Sequence, residues 1–324
     1  MSDLISITDL VVDFDTKRGT LHAVRGVSLN IAAGESVGIV GESGSGKTVF
    51  SRATMGLLRG KRVHRTGKIM FEGVDLRTLN SEQVREYWGT KIAMVFQDPM
   101  TALNPVRRIG SQMAESLVKR LGMSKEDAKK RAIELLAQVR LPEPELALHK
   151  YPHQLSGGMR QRVMIAMSIA CNPKLLFADE PTTALDVTVQ AQVLELLADL
   201  RKDMGMAMVI VTHDLGVVAG YTDRIAVMYG GEIVELATTT DLFANVKMPY
   251  TEALMNAIPR INRKRGSALT AIEGMPPDPI TTHTGCAFAA RCPYAQQKCR
   301  DQHPELVDAG NGHMYRCFFP IGGK

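Results

Sequence analysis

One short segment of this 324-residue chain has the residue types and spacing of a phosphate cradle. It reads Gly41-Glu-Ser-Gly-Ser-Gly-Lys-Thr48, which follows the pattern G-x-x-x-x-G-K-[ST]. Its glycines allow successive backbone N–H groups to turn inward around phosphate oxygens. Lys47 supplies positive charge to the β- and γ-phosphates, and the Thr48 hydroxyl is a ligand for Mg²⁺. The segment predicts a nucleoside triphosphate site, with contacts from Ser43, Gly44, Ser45, Gly46, Lys47, Thr48 and Val49.

The residues on either side supply the context that this motif needs. Residues 36–40 are apolar enough for a buried parallel strand, and residues 49–53 can continue as a helix. The first turn of that helix would add unpaired N–H groups and the positive end of its dipole. A Gly/Ser-rich turn without a ligand is the alternative reading, and the flanking strand and helix disfavour it.

A pair of acids ends another apolar run. Leu175–Ala178 has the character of a buried strand, and it leads directly into Asp179 and Glu180. A carboxylate at the C-terminal end of a parallel strand lies in the crevice where ligands bind. Asp179 is therefore a candidate partner for Mg²⁺, and Glu180 is a candidate to accept a proton from an attacking water or to orient it. An isolated Asp-Glu pair at a strand end is common, but the phosphate cradle upstream favours the catalytic interpretation.

A second segment is also suited to an anion. Leu155-Ser-Gly-Gly-Met159 precedes an amphipathic helix, so that Ser156, Gly157 and Gly158 surround a helix N-terminus. Taken alone, such a pentapeptide would be a helix cap. Two phosphate cradles in a chain with one nucleotide site are explained if two chains pair, because the second cradle of each chain can then reach the γ-phosphate bound by the other.

Patterns of apolar residues predict the elements that position these segments. Strands are predicted at 5–14, 23–31, 36–40, 68–71, 92–96, 175–178, 206–211 and 224–228. Helices are predicted at 109–121, 124–139 and 187–200. Residues 61–65 are interpreted as a solvated connection, and 262–266 as a linker. The pattern predicts an α/β nucleotide-binding core with a helical insertion, followed by a small, loop-rich C-terminal module.

Composition narrows the class of protein. Hydrophobic residues make up 45% and charged residues 23% of the chain, as in ordinary globular proteins. The net charge of +5 is too small to indicate nucleic-acid binding by itself. No apolar run approaches the roughly 20 residues that a membrane-spanning helix needs, and the N-terminus lacks the features of a secretory signal. We therefore expect a cytosolic protein.

Together, these motifs resemble those of the ATP-binding subunits of ABC transporters. The match covers about residues 4–245, in the order that the family shows. Its further members are Phe14 as the aromatic residue on adenine, Gln97 as the Q-loop residue at Mg²⁺ and water, residues 155–159 as the signature sequence, Ala184-Leu-Asp186 as the D-loop, and His213 as the switch histidine near the γ-phosphate. One departure is Met159, where the family usually has Gln. It spares the backbone of Ser156, Gly157 and Gly158.

The resemblance implies an organisation for the whole chain. We expect a P-loop NTPase core of the ABC type with a mixed sheet over residues 1–250, and an inserted helical subdomain at about 98–172. Residues 251–324 would form a small C-terminal extension that contains cysteines. The implied catalytic residues are Gln97, Glu180 and His213. The implied ligands of Mg²⁺ are Thr48, Gln97 and Asp179, and ATP is the nucleotide.

Four of the five cysteines are concentrated in the tail. Cys286, Cys292, Cys299 and Cys317 follow the spacing C-x₅-C-x₆-C-x₁₇-C. Disulfides are disfavoured in a reducing cytosol, and four thiolates in a loop-rich module indicate a metal or iron–sulfur site. Zinc sites usually have closer pairs of cysteines, so the spacing favours a cluster over zinc, with free structural thiols as the third reading. Residues 285–294 also resemble the C-terminal extension of peptide and nickel importer ATPases, in which such cysteines hold a 4Fe–4S cluster.

The resemblance indicates an ATPase subunit of a bacterial importer for peptides or a related small solute. Its implied partners are a second ATPase subunit, with a paralogue favoured over a copy, two transmembrane permease subunits and an extracytoplasmic solute-binding protein. Such a subunit works at the cytoplasmic face of the inner membrane, and no nucleic-acid partner is expected. The alternative is a soluble ABC ATPase that acts on nucleic acid or ribosomes, but the second cassette or long coiled coil usual in that class is not found in this sequence. A third reading is a regulatory ATPase whose tail senses redox or iron status.

Overall fold

The computed structural model describes residues 3–183, 185–258, 272–282 and 284–322. Contacts divide these residues into two compact units. The first unit comprises the described residues of 32–35 and 79–210, and the second comprises the other described residues. The domain boundaries given above, at 98–172 and between 250 and 251, stay predictions. The predicted linker at 262–266 lies outside the described residues.

The described residues form twelve strands and twelve α-helices. The strands are β1 (Asp3–Thr16), β2 (Gly19–Ala32), β3 (Ser36–Val40), β4 (Val63–Phe71), β5 (Val74–Asp75), β6 (Ile92–Val95), β7 (Leu175–Asp179), β8 (Ala207–Thr212), β9 (Arg224–Tyr229), β10 (Glu232–Thr238), β11 (Val307–Asp308) and β12 (Met314–Tyr315). The helices are α1 (Lys47–Thr54), α2 (Ser81–Tyr87), α3 (Pro99–Ala102), α4 (Ile109–Leu121), α5 (Lys125–Gln138), α6 (Pro144–Ala147), α7 (Gly157–Ile169), α8 (Val187–Met204), α9 (Leu215–Val218), α10 (Thr239–Ala244), α11 (Pro249–Ala257) and α12 (Gln297–Asp301).

Both parallel and antiparallel strand pairs are present. In the second unit, one sheet has the order β2-β1-β4-β5, and β1 and β4 are antiparallel. The same unit contains the strand order β11-β12-β10-β9-β3, in which β3 and β9 are parallel and β9 and β10 are antiparallel. In the first unit β7 lies between β8 and β6, and β6 and β7 are parallel. The predicted α/β class with a mixed sheet is confirmed.

The strands that lead to the site are apolar because they are covered on both faces. β3, β6, β7 and β8 are buried along their whole length. Continuous burial of this kind is expected for parallel strands between layers of helices, since neither face meets water. A side chain just beyond the end of such a strand is therefore presented by a rigid support.

The elements described between β6 and β7 are all helical. α4 has the predicted bounds, and α5 begins one residue after Ser124, whose hydroxyl accepts a hydrogen bond from the Asp127 N–H. The two helices pack through buried side chains that include Met113, Leu117, Leu135 and Leu136. The helical character predicted for about 108–170 is therefore present in this stretch.

Two features differ from the sequence-based expectations. β4 begins at Val63, so that three of the residues interpreted as a connection belong to a strand paired with β1. β10 was not predicted, because Glu232 and Glu235 interrupt its apolar pattern although both are buried.

From 272 to 322, the described part of the chain contains only short elements: α12, β11 and β12. None of the helices described is both long enough and apolar enough to cross a bilayer.

Candidate nucleotide site

The Gly-rich turn between β3 and α1 has the backbone that its sequence predicts. Gly46 caps α1 with φ of 100°, and Gly44 has φ of 81°. A Cβ atom at Gly41 would lie 2.1 Å from the carbonyl oxygen of Met228, and one at Gly46 would lie 2.3 Å from that of Ala23. Glycine is therefore required at Gly41 for close approach, is favoured at Gly44 for conformation, and is required at Gly46 for both reasons. No side chain caps the N-terminus of α1, which leaves it suited to an anion.

Lys47 is held inside this turn. Its side chain is buried, and Nζ donates hydrogen bonds to the carbonyl oxygens of Gly41 at 2.7 Å and Glu42 at 2.8 Å. The Ser45 hydroxyl lies 3.4 Å from Nζ. The ammonium group is thus placed by backbone groups of the turn itself, at the first turn of α1. A buried ammonium among backbone dipoles is well placed to bind phosphate oxygens.

The acid pair lies at the end of β7, as predicted. Asp179 is the last residue of the strand and is fully buried. Glu180, the next residue, has φ of 46°. This left-handed conformation costs a non-glycine residue about 1–3 kcal/mol, and such residues cluster at functional sites.

Glu180 is held by two side chains of the first unit. The Gln97 amide donates from Nε2 to Glu180 Oε2 at 2.8 Å, and the Thr183 hydroxyl donates to the same oxygen at 2.9 Å. The structure therefore brings together Gln97 and Glu180, which sequence motifs had singled out separately. Thr183 was missed, because no pattern of residue types indicates a contact that depends on the turn after β7.

The second cradle surrounds the N-terminus of α7. The Ser156 hydroxyl accepts a hydrogen bond from the Met159 N–H at 3.3 Å, so that it caps the helix in the isolated chain. A Cβ atom at Gly158 would lie 2.9 Å from Val189 Cγ1, and one at Gly157 would lie 3.6 Å from Leu185. The two glycines thus allow the segment that follows the acid pair to approach the start of α7. Within that segment, Ala184 lies outside the described residues.

Other predicted residues lie at the ends or edges of strands. His213 is exposed and follows β8, and the Asp214 side chain caps α9 by accepting from the Gly216 N–H at 2.8 Å. Phe14 lies near the end of β1, is half-buried, and pairs with Val63 of β4. Asp186 caps α8 by accepting from the Val189 N–H at 3.0 Å.

The predicted site residues are divided between the two units. Gln97, Asp179, Glu180 and the signature segment belong to the first unit, whereas Phe14, the Gly-rich turn and His213 belong to the second. The predicted ligands of Mg²⁺ fit that ion chemically, because Thr48, Gln97 and Asp179 offer hydroxyl, amide and carboxylate oxygens. The Gln97 amide nitrogen is used on Glu180, which leaves its oxygen as the donor for a metal.

The four tail cysteines line one cavity in the second unit. Its wall is otherwise mainly apolar and includes Phe288 and Phe318. Burial raises the pKa of the Cys286 and Cys317 thiols to about 11, and it also raises the pKa of Cys292. Among the described residues, no group of three or more His, Cys, Asp or Glu side chains is arranged to hold a metal ion. This finding gives direct support to neither zinc nor an iron–sulfur cluster.

Comparison with protein families finds two matches. Residues 24–183 match the family described as ABC transporter, and residues 234–299 match the one described as oligopeptide/dipeptide transporter, C-terminal region. The first match contains the Gly-rich turn, the signature segment and the acid pair. The second includes Cys286, Cys292 and Cys299.

Similar proteins extend over nearly the whole chain. The oligopeptide transport ATP-binding protein OppD of Bacillus subtilis is 48% identical over 97% of this chain and 88% of its own length. The dipeptide transport ATP-binding protein DppD of the same organism is 45% identical, over 98% and 95%. DppD of Escherichia coli is 44% identical, over 98% and 97%.

Solved structures with the same fold are ATP-binding cassettes. A dimeric cassette in a post-hydrolysis state, bound to ADP and Pi, has a TM-score of 0.65 and 30% identity over 72% of this chain and 98% of its own. CbiO1 of Clostridium perfringens, part of the ABC transporter complex CbiONQ, has a TM-score of 0.64 and 28% identity, over 76% and 92%. The chain therefore belongs to the ABC transporter ATP-binding family, as an ATPase of its oligopeptide/dipeptide transport branch.

Proposed function

We propose that this chain is one of the ATP-hydrolysing subunits that power import of peptides or a related small solute across the bacterial inner membrane. The observation that carries the proposal is the joint presence of a complete set of nucleotide motifs and an oligopeptide/dipeptide-type C-terminal region. The similar proteins that cover the chain are themselves oligopeptide or dipeptide transport ATP-binding proteins. We place the subunit at the cytoplasmic face of the membrane, bound peripherally to its partners.

The partners follow from the chemistry that one chain does not complete. Two permease subunits would form the pathway, and an extracytoplasmic protein would deliver the solute. A second ATPase subunit, which we take to be a paralogue, would supply its signature segment to the ATP bound at the Gly-rich turn of this chain. Ser156 and the N-terminus of α7 would serve the partner's ATP in return.

Each site residue has a role in this scheme. Phe14 stacks on adenine, residues 43–49 surround the phosphates, and Lys47 neutralises the β- and γ-phosphates. Glu180 accepts a proton from the attacking water, or orients it, and His213 contacts the γ-phosphate. Mg²⁺, held when bound by Thr48, Gln97 and Asp179, would neutralise charge on the phosphates. ATP favours the closed pair of subunits because it binds that state more tightly than the open one, and hydrolysis lets the pair part.

The test replaces the proposed base. We expect Glu180→Gln to retain ATP binding and to lower kcat by roughly 100-fold or more, since an amide cannot take a proton from water. The measurement is ATP hydrolysis and ATP affinity in the assembled transporter, with uptake of labelled dipeptides into proteoliposomes. Lys47→Ala is the control that should lose ATP binding. Undiminished hydrolysis in the Glu180 variant would refute the assigned base, and ATP-driven uptake with no peptide preference would refute the cargo class.

We infer further that Cys286, Cys292, Cys299 and Cys317 hold a 4Fe–4S cluster, with zinc as the alternative. Support comes from their common cavity and from the spacing of the thiols in the sequence. A bound cluster would join the segments that carry the four cysteines, including helix α12 with Cys299. Because the thiols must lose protons to become ligands, loading should release protons and weaken at acidic pH.

The metal proposal is tested by composition. Protein purified without oxygen should contain about four iron and four sulfide per chain, and a Cys286→Ser variant should lose both. If the protein contains zinc but neither iron nor sulfide, the cysteines form a zinc site and the cluster proposal is wrong. Protein that contains neither metal, yet hydrolyses ATP normally, would leave the cysteines as structural thiols and contradict both readings.

A further inference from the structure

One arginine of the C-terminal region binds the second residue of the Gly-rich turn. The two terminal nitrogens of Arg291 donate to the two carboxylate oxygens of Glu42, at 2.6 and 2.9 Å. Only 4% of the Arg291 side chain is exposed, against 26% for Glu42. A bidentate pair of this kind fixes the orientation of the carboxylate as well as its position. Both residues belong to the second unit.

All three guanidinium nitrogens of Arg291 donate hydrogen bonds. Its Nε donates to the Glu273 carbonyl at 2.9 Å, and Nη2 donates to the Ile272 carbonyl at 3.1 Å. Nη1 donates to the Tyr229 hydroxyl at 3.2 Å. With the two bonds to Glu42, all five N–H donors of the guanidinium have a partner. The bonds to Glu42 raise the pKa of Arg291 above its ordinary value, so the group stays charged.

Glu42 connects this arginine to Lys47. Its backbone N–H donates to the Tyr250 hydroxyl at 2.8 Å, and its carbonyl oxygen accepts from Lys47 Nζ at 2.8 Å. Glu42 is thus fixed at its carboxylate by Arg291 and at its backbone by Tyr250. The carbonyl that orients Lys47 belongs to the same residue, so a shift of Glu42 would move the ammonium group that serves the phosphates.

We propose that Arg291 is a positioning residue for ATP binding, which acts through Glu42 to set the first turn of the phosphate cradle and the orientation of Lys47. The proposal rests on the nucleotide site described above. It adds that the affinity of this chain for ATP depends on a residue of the C-terminal region, outside the nucleotide motifs. A lysine keeps the charge but not the five-donor fork, so that lysine can replace arginine here only in part.

The experiment measures ATP affinity and turnover separately in the assembled transporter. Arg291→Ala should raise the Kd and KM for ATP about 10-fold, equivalent to about 1.4 kcal/mol, and leave kcat at saturating ATP within about two-fold. Arg291→Lys should give a smaller increase. Glu42→Gln should raise Kd as well, and the double variant should cost less than the sum of the two because they remove the same interaction.

A matched control distinguishes positioning from a general loosening of the C-terminal region. Asp278→Asn removes the ion pair with Arg18, which also joins that region to the rest of the unit, and it leaves the bonds between Arg291 and Glu42 in place. It should leave the Kd for ATP unchanged. Thermal unfolding without nucleotide shows which variants fold, and Glu42→Gln and Arg291→Lys carry the test if Arg291→Ala does not.

The outcomes separate this inference from the proposed site. Unchanged ATP affinity in the folded Arg291 and Glu42 variants overturns the inference, as do strictly additive effects or an equal loss in Asp278→Asn. If Lys47→Ala binds ATP as well as the unaltered chain, it is the proposed nucleotide site that fails. A loss of affinity in Arg291→Ala that is partly restored by lysine and absent in Asp278→Asn supports the inference.

Discussion

At the scale of single residues, the most informative position is Glu180. It combines a left-handed backbone, with φ of 46°, and a carboxylate that accepts from both Gln97 and Thr183. A carboxylate that must accept a proton from water in one geometry benefits from such restraint, because the alternative rotamers are removed in advance. If Glu180 has the proposed role, Thr183 acts through that carboxylate and takes no direct part in the chemistry.

Thr183→Val tests this interpretation, because it keeps the shape of the side chain and removes the donor. We expect kcat to fall about 10-fold, since a hydrogen bond to a charged group contributes roughly 1.5–3 kcal/mol and Thr183 is exposed enough to weaken it. The Kd for ATP should not change. Steady-state hydrolysis and equilibrium ATP binding measure the two quantities.

Thr183→Ser is the matched control, because serine retains the hydroxyl. Its kcat should lie close to that of the unaltered chain. Equal turnover in the valine and serine variants would show that the hydroxyl does not position Glu180.

At the scale of elements, α4 carries a charge network on its exposed side. Glu115 pairs with Lys119, one turn later on the same helix, and with Arg107, which precedes the helix. Hydrogen bonds first from Lys119 and then from Arg107 lower the pKa of Glu115 to about 2 from its ordinary value of 4.5. The ionised carboxylate therefore stabilises the folded state above about pH 4.5, and this contribution is lost as pH falls toward 2.

Glu115→Gln should lower the Tm at neutral pH by a small amount, and the difference from the unaltered chain should shrink as the pH is lowered from 4.5 toward 2. Because the network is exposed, about 1 M salt should reduce the same difference. Thermal unfolding at several pH values and two salt concentrations measures both effects. A difference that grows on acidification would contradict the assigned sign.

The elements also show what the sequence could and could not indicate. α4 was predicted with its bounds because apolar residues recur with helical spacing, and β7 because its apolar run is continuous. β10 was not predicted because two glutamates interrupt its apolar pattern. Only the structure shows the hydrogen-bond partners of these glutamates. Glu235 accepts from the Lys247 and Met248 N–H groups and binds His313, and Glu232 binds His303. Such partners are distant in sequence, and no local pattern contains them.

The same limit applies to the candidate site. The residues of the Gly-rich turn and the acid pair could be named from local spacing, because their chemistry requires a fixed order of residue types. Arg291 and Thr183 could not, since each acts through a contact that the fold creates. Glu42 and Arg291 are 249 residues apart in the chain, and neither belongs to a pattern that indicates the other.

At the scale of the molecule, one aromatic side chain connects two functional regions of the second unit. Phe288 lines the cysteine cavity, and its ring also lies 5.3 Å from those of both Tyr229 and Tyr250. Tyr250 holds the backbone of Glu42, and Arg291 lies over the rings of Tyr229 and Phe288. Phe288 therefore packs both against the cysteine cavity and against the side chains that support the phosphate cradle.

The protonation of the cysteines gives a prediction that separates a metal site from free thiols. In the metal-free protein, burial raises the pKa of Cys286 and Cys317 to about 11 from an ordinary value of 9.0. The folded state then retains protons that the unfolded chain releases. The contribution of these two thiols to stability should be constant below about pH 9 and fall as pH rises toward 11, by roughly 1–3 kcal/mol after allowance for the exposed part of each thiol.

In protein loaded with a cluster, the same cysteines are already deprotonated ligands, so this loss between pH 9 and 11 should be absent. Denaturant unfolding of anaerobically loaded and iron-free samples across that range measures the difference. A Cys286→Ser, Cys317→Ser variant is the control, because tyrosines and lysines that titrate in the same range remain in it. If iron-bearing and iron-free samples lose stability equally, and the double serine variant does too, the thiols neither bind the metal nor account for the alkaline loss. If only the iron-free protein with both cysteines loses stability, then Cys286 and Cys317 both bind the cluster and account for the alkaline loss.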